Sequence, residues 1–354
     1  VGAASVEAMH GAESTAGPAA DTAAGTAHEG AAALLAAARG GDERAFAALV
    51  GRHRRALHLH CYRMLGSFDE AEEALQDTMV RAWRSLHTYA ERAPLDHWLH
   101  RIATTTCLRA AERRRRAPVS VAEVEQLQPY PDVLLGELDP AVVVEQREAV
   151  ALAYVAALQL LPATQRAVVI LREVLAWSAA EVAGYLGSSV AAVNSSLQRG
   201  RATLAARVRR RPERPLSAYE RELVRRFVRS WERCDTEALA ELLRADAVLR
   251  MPPQPMEIHG PQAIAGFYAT VPAGGRWDLI RLVETAANGQ PALAAYLPDL
   301  AGRGGGGPLH AYGVMVLTVT EQGIAEITGF PDPALPARFG LPPIISAGYF
   351  RRDR

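Results

Sequence analysis

The chain has 354 residues, 49% of them hydrophobic and 6% aromatic, with 39 Lys plus Arg against 39 Asp plus Glu. That length holds two or three domains, each able to bury a core. No run of eighteen or more apolar residues occurs, which argues against a membrane-spanning helix, and Cys61, Cys107 and Cys234 are too few and too scattered for a disulfide framework, so a soluble chain in a reducing cytoplasm is expected. The zero net charge hides a segregation. Residues 39–116 hold fifteen Arg against ten acids and residues 141–211 hold nine against four, while residues 117–140 hold five acids and no base.

Residues 1–30 are rich in Ala, Gly, Thr and acids and lack both a basic n-region and a signal-peptide core, which predicts a disordered tail. From Ala31 to Leu65 the pattern is helical, with Phe46, Leu49, Val50, Leu57 and Leu65 as core candidates. His58, His60 and Cys61 cluster there. Only His58 and Cys61 share a helical face, and no second ligand pair stands nearby, so a structural reading is preferred to zinc; no metal and no cofactor are expected.

Ser67 and Glu70 have the spacing of a capping box ahead of a periodic run, Ala71, Ala74, Leu75, Thr78, Met79, Ala82, Trp83 and Leu86. Acids occupy the early turns of this helix and arginines the late ones, as the helix dipole prefers. A turn with Tyr89 and Pro94 follows. Trp98, Leu99, Ile102 and Ala103 then open a second amphipathic helix that ends in Arg113 to Arg116. Single-stranded nucleic acid needs positive charge along its backbone and flat groups for its bases; Tyr89, His97, Trp98 and these arginines supply both. Trp98 also fits the apolar stripe as a core residue, and the arginine run fits a solvated helix end, so both readings stay open.

The order of Cys61-Tyr62-Arg63-Met64-Leu65-Gly66, Asp69 to Asp77 with Ala71-Glu72-Glu73 and Gln76, Arg81-Ala82-Trp83-Arg84, Trp98-Leu99 and Arg101-Ile102-Ala103 resembles region 2 of the sigma-70 family in its extracytoplasmic-function (ECF) form. The resemblance implies that Glu72, Glu73, Gln76, Asp77, Arg81 and Arg84 dock on the coiled coil of the RNA polymerase β′ subunit. It also implies that Tyr89, His97, Trp98, Arg101, Thr105, Arg109, Arg113, Arg114, Arg115 and Arg116 hold the melted downstream promoter element. Thr105 stands where the family often has Asn, and Arg109 where an acid is common, so base preference transfers less well than the docking surface.

Prolines and acids make 117–140 a linker, either a solvated tether or an acidic mimic of nucleic acid. Helical periodicity runs from Ala141 to about Leu161. After Trp177, Ser178 and Glu181 form a second capping-box pattern, Gly187 supplies a turn, and a longer helix starts near Ser188 or Ser189, which is a helix-turn-helix. Its second helix should enter the major groove with Val190, Val193 and Leu197 inward and Ala192, Asn194, Ser195, Gln198, Arg199 and Arg201 outward toward the upstream element. Asn194 and Gln198 suit adenine edges, Arg199 and Arg201 guanine or phosphate. Val193 to Arg201, with Leu161-Pro162 and Gln165-Arg166, resembles sigma region 4, which implies contact with the polymerase β flap.

Beyond Leu216, two helices, Tyr219–Cys234 and Thr236–Leu243, precede strands at Asp246–Arg250, Trp277–Ala286, Pro291–Leu297, Leu309–Val319 and Ile324–Gly329, with Asn288-Gly289 as a hairpin turn. The order resembles a SnoaL-like cone fold. His259, Tyr268, Trp277, Asp278, Tyr296 and His310 are its candidate pocket residues, for catalysis, for sensing a small-molecule ligand or for none, the domain then contacting the sigma lobes or polymerase. The expected architecture is multidomain: a tail (1–30), an all-α region 2 bundle (31–116), a linker (117–140), an all-α region 4 helix-turn-helix (141–211) and a C-terminal α+β SnoaL-like cone (216–354). The expected partners are core RNA polymerase and promoter DNA, without a membrane, and the chain is expected not to be an enzyme. A helix-turn-helix regulator with a ligand-sensing domain, or a small-molecule enzyme with a DNA-binding appendage, are the competing readings.

Overall fold

The computed structural model describes residues 30–116, 127–136, 148–207, 218–299 and 307–346; the expectations for the tail before residue 30 and for most of the acidic linker lie outside them. The first lobe is a bundle of α1 (30–39), α2 (Glu43–Gly51), α3 (Arg54–Leu65), α4 (Phe68–Ser85) and α5 (Leu95–Arg116). Asp42 caps α2, accepting from Arg44 N and Ala45 N at 2.8 and 3.0 Å. Helix α3 is buried from Leu57 through Leu65. It therefore shows no single apolar stripe, being the central rod of the bundle. It stops at Gly66, whose φ of 76° suits the turn and whose hydrogen faces Gln159: a Cβ there would lie 2.8 Å from that side chain.

Helix α4 buries Ala71, Ala74, Leu75, Thr78 and Ala82, the stripe its periodicity predicts. Its capping box is only half made. Ser67 Oγ accepts from Glu70 N at 3.3 Å, but the Glu70 carboxylate turns to Arg114 of α5, 3.3 Å away, where a charged partner outcompetes a backbone N–H.

The bundle encloses imidazoles. His60 Nε2 lies 2.9 Å from Thr104 Oγ1, His58 Nδ1 lies 3.0 Å from Tyr130 Oη, and His100 Nδ1 donates to Asp96 O at 2.8 Å. Burial lowers all three, His58 and His100 to about 4 and His60 well below its ordinary value. At His58, burial and then Arg55 and Arg54 outweigh the Glu72 carboxylate 3.8 Å away. A histidine neutral when folded binds fewer protons than when unfolded, so its stabilising effect is complete above pH 6.5 and is lost as pH falls from 6.5 toward 4. For His58 and His100 such a shift is worth roughly 3 kcal/mol. Urea unfolding midpoints should therefore drop steeply between pH 6.5 and 4.5, and a His100→Gln chain should show a shallower drop over that window.

The second lobe comprises α6 (Leu152–Gln159), α7 (Ala163–Val169) extended by a π-helical turn at Ile170–Val174, α8 (Ala179–Leu186) and α9 (Val190–Arg207). The helix expected from Ala141 begins, in the described residues, with a 3₁₀ turn at Glu148–Val150.

The C-terminal domain follows the expected helices-then-strands order: α10 (Ala218–Glu232), α11 (Thr236–Glu241), β1 (Leu243–Met251), β2 (Gln254–His259), α12 (Pro261–Thr270), β3 (Arg281–Ala287), β4 (Gln290–Pro298), β5 (Leu309–Thr320), β6 (Gly323–Phe330) and β7 (Ile344–Ile345). The sheet order is β2-β1-β6-β5-β4-β3, with β7 on β5. It is mixed, because β1 runs parallel to β6. Strand β2 and helix α12 were not expected: β2 is a short, largely exposed edge strand whose alternation is confined to Met256 and Ile258, and Trp277 lies in a 3₁₀ turn rather than a strand.

The sheet is buried on both faces. On β4, Leu293 and Ala295 face the domain's own helices, while Ala292, Ala294 and Tyr296 belong to the core that runs through both helical lobes. On β5, Met315, Leu317 and Val319 take the first side and Val314 and Val316 the second. This period of two, with both sets apolar, marks a sheet covered on each face. Among the described residues, no helix is long and apolar enough to cross a membrane, and no group of three His, Cys, Asp or Glu could hold a metal ion.

Candidate nucleic-acid interface

The helix-turn-helix forms as its punctuation demands. Ser178 and Glu181 make the full capping box, at 3.2 and 2.7 Å, and Gly187 ends α8 at φ 61°. Ser189 accepts from Ala192 N at 3.1 Å to start α9. Val193 and Leu197 point inward, but Val190 is 45% exposed: it sits in the first turn, ahead of the crossing with α7. That crossing is tight at Gly200, where a Cβ would come within 2.5 Å of Val169 Cγ2. Ala192, Asn194, Ser195, Gln198 and Arg199 are exposed together on the outer face. Arg201 is exposed too, and its Nε pairs with Glu173.

Of the residues expected to hold a melted strand, Tyr89, His97, Trp98, Arg101 and Thr105 lie on or beside the first half of α5, where α8 lies against them, and Arg109, Arg113, Arg114, Arg115 and Arg116 lie on its second half. His97 stacks on Trp177 with ring centroids 4.9 Å apart and planes at 28°. Tyr185 Oη donates to Arg101 O at 2.9 Å and lies 2.9 Å from Thr105 Oγ1, while the Arg101 guanidinium sits 5.3 Å from the centre of the Tyr185 ring. A cleft of about 420 Å³ remains between the lobes, reached by Tyr89, Arg92, His97, Trp98, Trp177 and Tyr185. Tyr89, expected in the turn as a ring for a base to stack on, is 9% exposed; its hydroxyl donates to Ala93 O at 2.9 Å, Arg39 binds its carbonyl, and its ring lies 5.4 Å from Trp98. Trp98 is half-buried and packs on the core. Arg109, Arg113 and Arg115 are exposed, Arg114 turns in toward Glu70, and the Arg116 side chain lies outside the described residues.

The expected polymerase-docking residues divide over two flanks of α4. Glu73 and Asp77 share a cleft with Arg113 and Arg114 of α5. Glu72 lies 3.8 Å from Arg54 on the other side. Gln76 and Arg84 are exposed and Arg81 half-buried.

What sequence reasoning missed is the joint between the lobes and the C-terminal domain. The Asn288-Gly289 turn is more than a connector. Both residues have left-handed backbone, φ 57° and 68°, as a two-residue turn between twisted strands requires. Asn288 is 1% exposed, and it donates from Nδ2 to Tyr62 Oη (2.9 Å) and Val150 O (2.7 Å) and accepts Tyr130 N on Oδ1 (2.7 Å). Its own N–H reaches Tyr130 O at 2.9 Å. Gly289 N donates to Asp132 Oδ1 at 2.8 Å, Gln290 Oε1 accepts from Leu152 N at 3.0 Å, and Arg338 pairs with Asp69 at 2.6 Å. One hairpin tip thus binds α3, the linker and the start of the second lobe. The one local signal was Pro129-Tyr130-Pro131, an aromatic between prolines in the acidic linker.

Of the expected pocket residues, only Tyr268 lines the cavity inside the C-terminal domain. Trp277 packs behind it against Trp231, with centroids 5.2 Å apart. His259 is 67% exposed on the edge strand beside Glu257, and His310 is exposed on β5. Tyr296 faces the opposite side of the sheet, donating to Pro342 O at 2.8 Å. Asp278 is held below the usual carboxylate range by hydrogen bonds from Arg276, at the surface.

Comparison with known proteins adds to this geometry. Residues 49–117 match Sigma-70 region 2, residues 151–204 match Sigma-70 region 4, and residues 224–327 match the SnoaL-like domain. The fold and its helix-turn-helix thus define a sigma-type transcription initiation factor with an appended α+β domain. The ECF RNA polymerase sigma factor SigG of Mycobacterium tuberculosis is 40% identical over 324 residues, covering 85% of each chain, and SigM of the same organism is 34% identical over 172 residues, 49% of this chain and 81% of its own. The chain belongs to the ECF RNA polymerase sigma factor family. The crystal structure of Mycobacterium tuberculosis SigJ superimposes with a TM-score of 0.58 at 20% identity, covering 82% of this chain and 97% of that one, a likeness of fold.

Proposed function

We propose that this sigma subunit is held closed by its own C-terminal domain until core polymerase opens it. Family members bind core polymerase and promoter DNA. Here Glu72, Glu73, Gln76, Asp77, Arg81 and Arg84 meet the β′ coiled coil, the second lobe meets the β flap, and the outer face of α9 reads the upstream element. His97, Trp98, Arg101 and Thr105, with the arginines toward the end of α5, hold the melted strand.

The observation that carries the closed state is the stacking of Trp177 on His97 beside the Tyr185 contacts to Arg101 and Thr105. A base cannot occupy a ring face that another ring already covers, so α8 must leave α5 before a strand can be held. The Asn288 tip opposes that departure by joining α3 to the residues that lead into the second lobe. The C-terminal domain acts by contact, through the Asn288 tip and the pairing of Arg338 with Asp69.

Run-off transcription with core polymerase on promoter fragments tests the reading. Specific transcripts that need both polymerase and the chain are expected; duplex binding without any polymerase-dependent transcript would overturn it. Asn194→Ala and Gln198→Ala should each change preference at individual upstream base pairs by about 1–3 kcal/mol, whereas Arg199→Ala should weaken binding evenly across sequences and flatten its salt dependence. Competition binding to single-substituted promoters separates the two patterns.

A further inference from the structure

Helix α10 has two unlike sides. Leu223, Val224, Phe227 and Trp231 are buried in the domain's own core, on the face of the sheet turned away from the helical lobes. The other side is exposed and carries Arg221, Arg225, Arg226, Arg229 and Arg233. Arg226, Arg229 and Arg233 follow one another at steps of three and four, so they share one face, and they line a shallow depression of about 310 Å³ with Ser230, Asp235 and Ala238.

Little on the domain answers this charge. Glu222 takes Arg225 at 2.9 Å and also Arg229, and Asp235 is engaged as the cap of α11, accepting from Ala238 N at 2.9 Å. Among the described residues, neither Arg226 nor Arg233 has an acidic partner. Like charges three and four apart on a helix repel, so the row weakens the helix it stands on and is relieved by a counter-charge from outside. Its place in the chain points to which one. From Arg199 to Arg233 there are twelve Arg against four acids, in a stretch that begins on the outer face of α9. Only residues 208–217 separate α9 from α10. That connection reaches at most about 40 Å, or about twelve base pairs of duplex. Arg226 and Arg233 stand about 10 Å apart along the helix axis, the rise of about three successive phosphates on one strand.

We infer that the arginine row of α10 is a second DNA contact: it holds phosphates of the duplex just upstream of the element that α9 reads, without regard to sequence. Toward the melted element the duplex is spanned by the two helical lobes, so the stretch left to the C-terminal domain lies on the other side. The inference rests on the reading of α9 as the helix that binds the upstream element. It gives the C-terminal domain a part in DNA binding, separate from its hold on the lobes.

The test uses the full chain with core polymerase, on promoter fragments that either end at the upstream element or run about 25 base pairs beyond it, twice the reach of the connection. Affinity is measured across a salt series, where each phosphate contact adds about 0.9 to the slope of log affinity against log salt. The longer fragment should give the steeper slope. Arg226→Gln combined with Arg233→Gln should take about 1.8 off that slope, a roughly twelvefold smaller loss of affinity between 50 and 200 mM salt, and should leave the short fragment unchanged. Arg226→Lys combined with Arg233→Lys keeps the charge and should keep the slope, whereas Arg199→Ala should lower it on both fragments. Equal slopes on the two fragments, or a double Gln variant that behaves as the unsubstituted chain while Arg199→Ala does not, would overturn the row as a DNA contact and leave the reading of α9 standing. Weaker assembly of the double Gln variant with core polymerase in the absence of DNA would assign the row to a protein partner and overturn the inference as well. No effect of Arg199→Ala on either fragment would remove the reading of α9, and the inference with it.

Discussion

Asn288→Ala in the full chain is expected to loosen the hairpin tip by about 3 kcal/mol and to raise promoter-specific transcription with core polymerase several-fold. The substitution deletes the side chain that serves Tyr62, Tyr130 and Val150 at a site 1% exposed, and the groups left behind are unpaired. A buried group losing its partner costs about 1–3 kcal/mol, and alanine tolerates the φ of 57° less well than asparagine by about 1 kcal/mol. Asn288→Gly removes the same hydrogen bonds but accepts the backbone, so it isolates the first contribution. Solution scattering should report a larger radius for both variants. If stability falls and the transcript yield does not change, the joint is structural and does not restrain the sigma lobes.

Arg166→Met should cost still more, about 3–5 kcal/mol, and should abolish the shared unfolding of the two helical lobes. Arg166 is 1% exposed and donates to four backbone carbonyls: Leu158 O at 2.8 Å, Gln159 O and Leu161 O at 3.0 Å, and Met64 O across the lobe boundary. The planar fork of guanidinium reaches carbonyls that a single ammonium cannot, so Arg166→Lys should rescue little. Urea unfolding followed separately by Trp83 in the first lobe and Trp177 in the second would show one transition splitting into two. A single, unshifted transition would mean that Arg166 does not bind the lobes together.

Much of this was legible in the chain because local chemistry and tertiary structure agree there. The α4 stripe, the Ser178 capping box, Gly187 and the Asn288-Gly289 turn each declare themselves within a few residues, and the structure keeps them. Failures occurred where a partner distant in sequence decides. Glu70 abandons its box for an arginine forty-four positions on, and Tyr89 is drawn under Arg39 and Trp98. His259 and His310 are the residue type a pocket suggests, yet strand alternation and the edge position of β2 turn them to the surface. The joint was missed for the same reason. Asn288 satisfies the local rule for a turn, and nothing near it in sequence reveals that Tyr62, two hundred and twenty-six positions earlier, takes its amide hydrogen.

That separation has a consequence in time. A ribosome releases the first lobe and then the second long before the tip that joins them, and at about 5–20 residues per second the stretch from α9 to Asn288 takes on the order of 4–16 s. During that interval the nascent chain has both helical lobes and no latch. On the closed-state proposal, polymerase that meets it then encounters an unrestrained factor, whereas polymerase that meets the finished chain would first have to break the hairpin's hold. The age of each molecule, rather than a modification or a second protein, would thus set how readily it is captured.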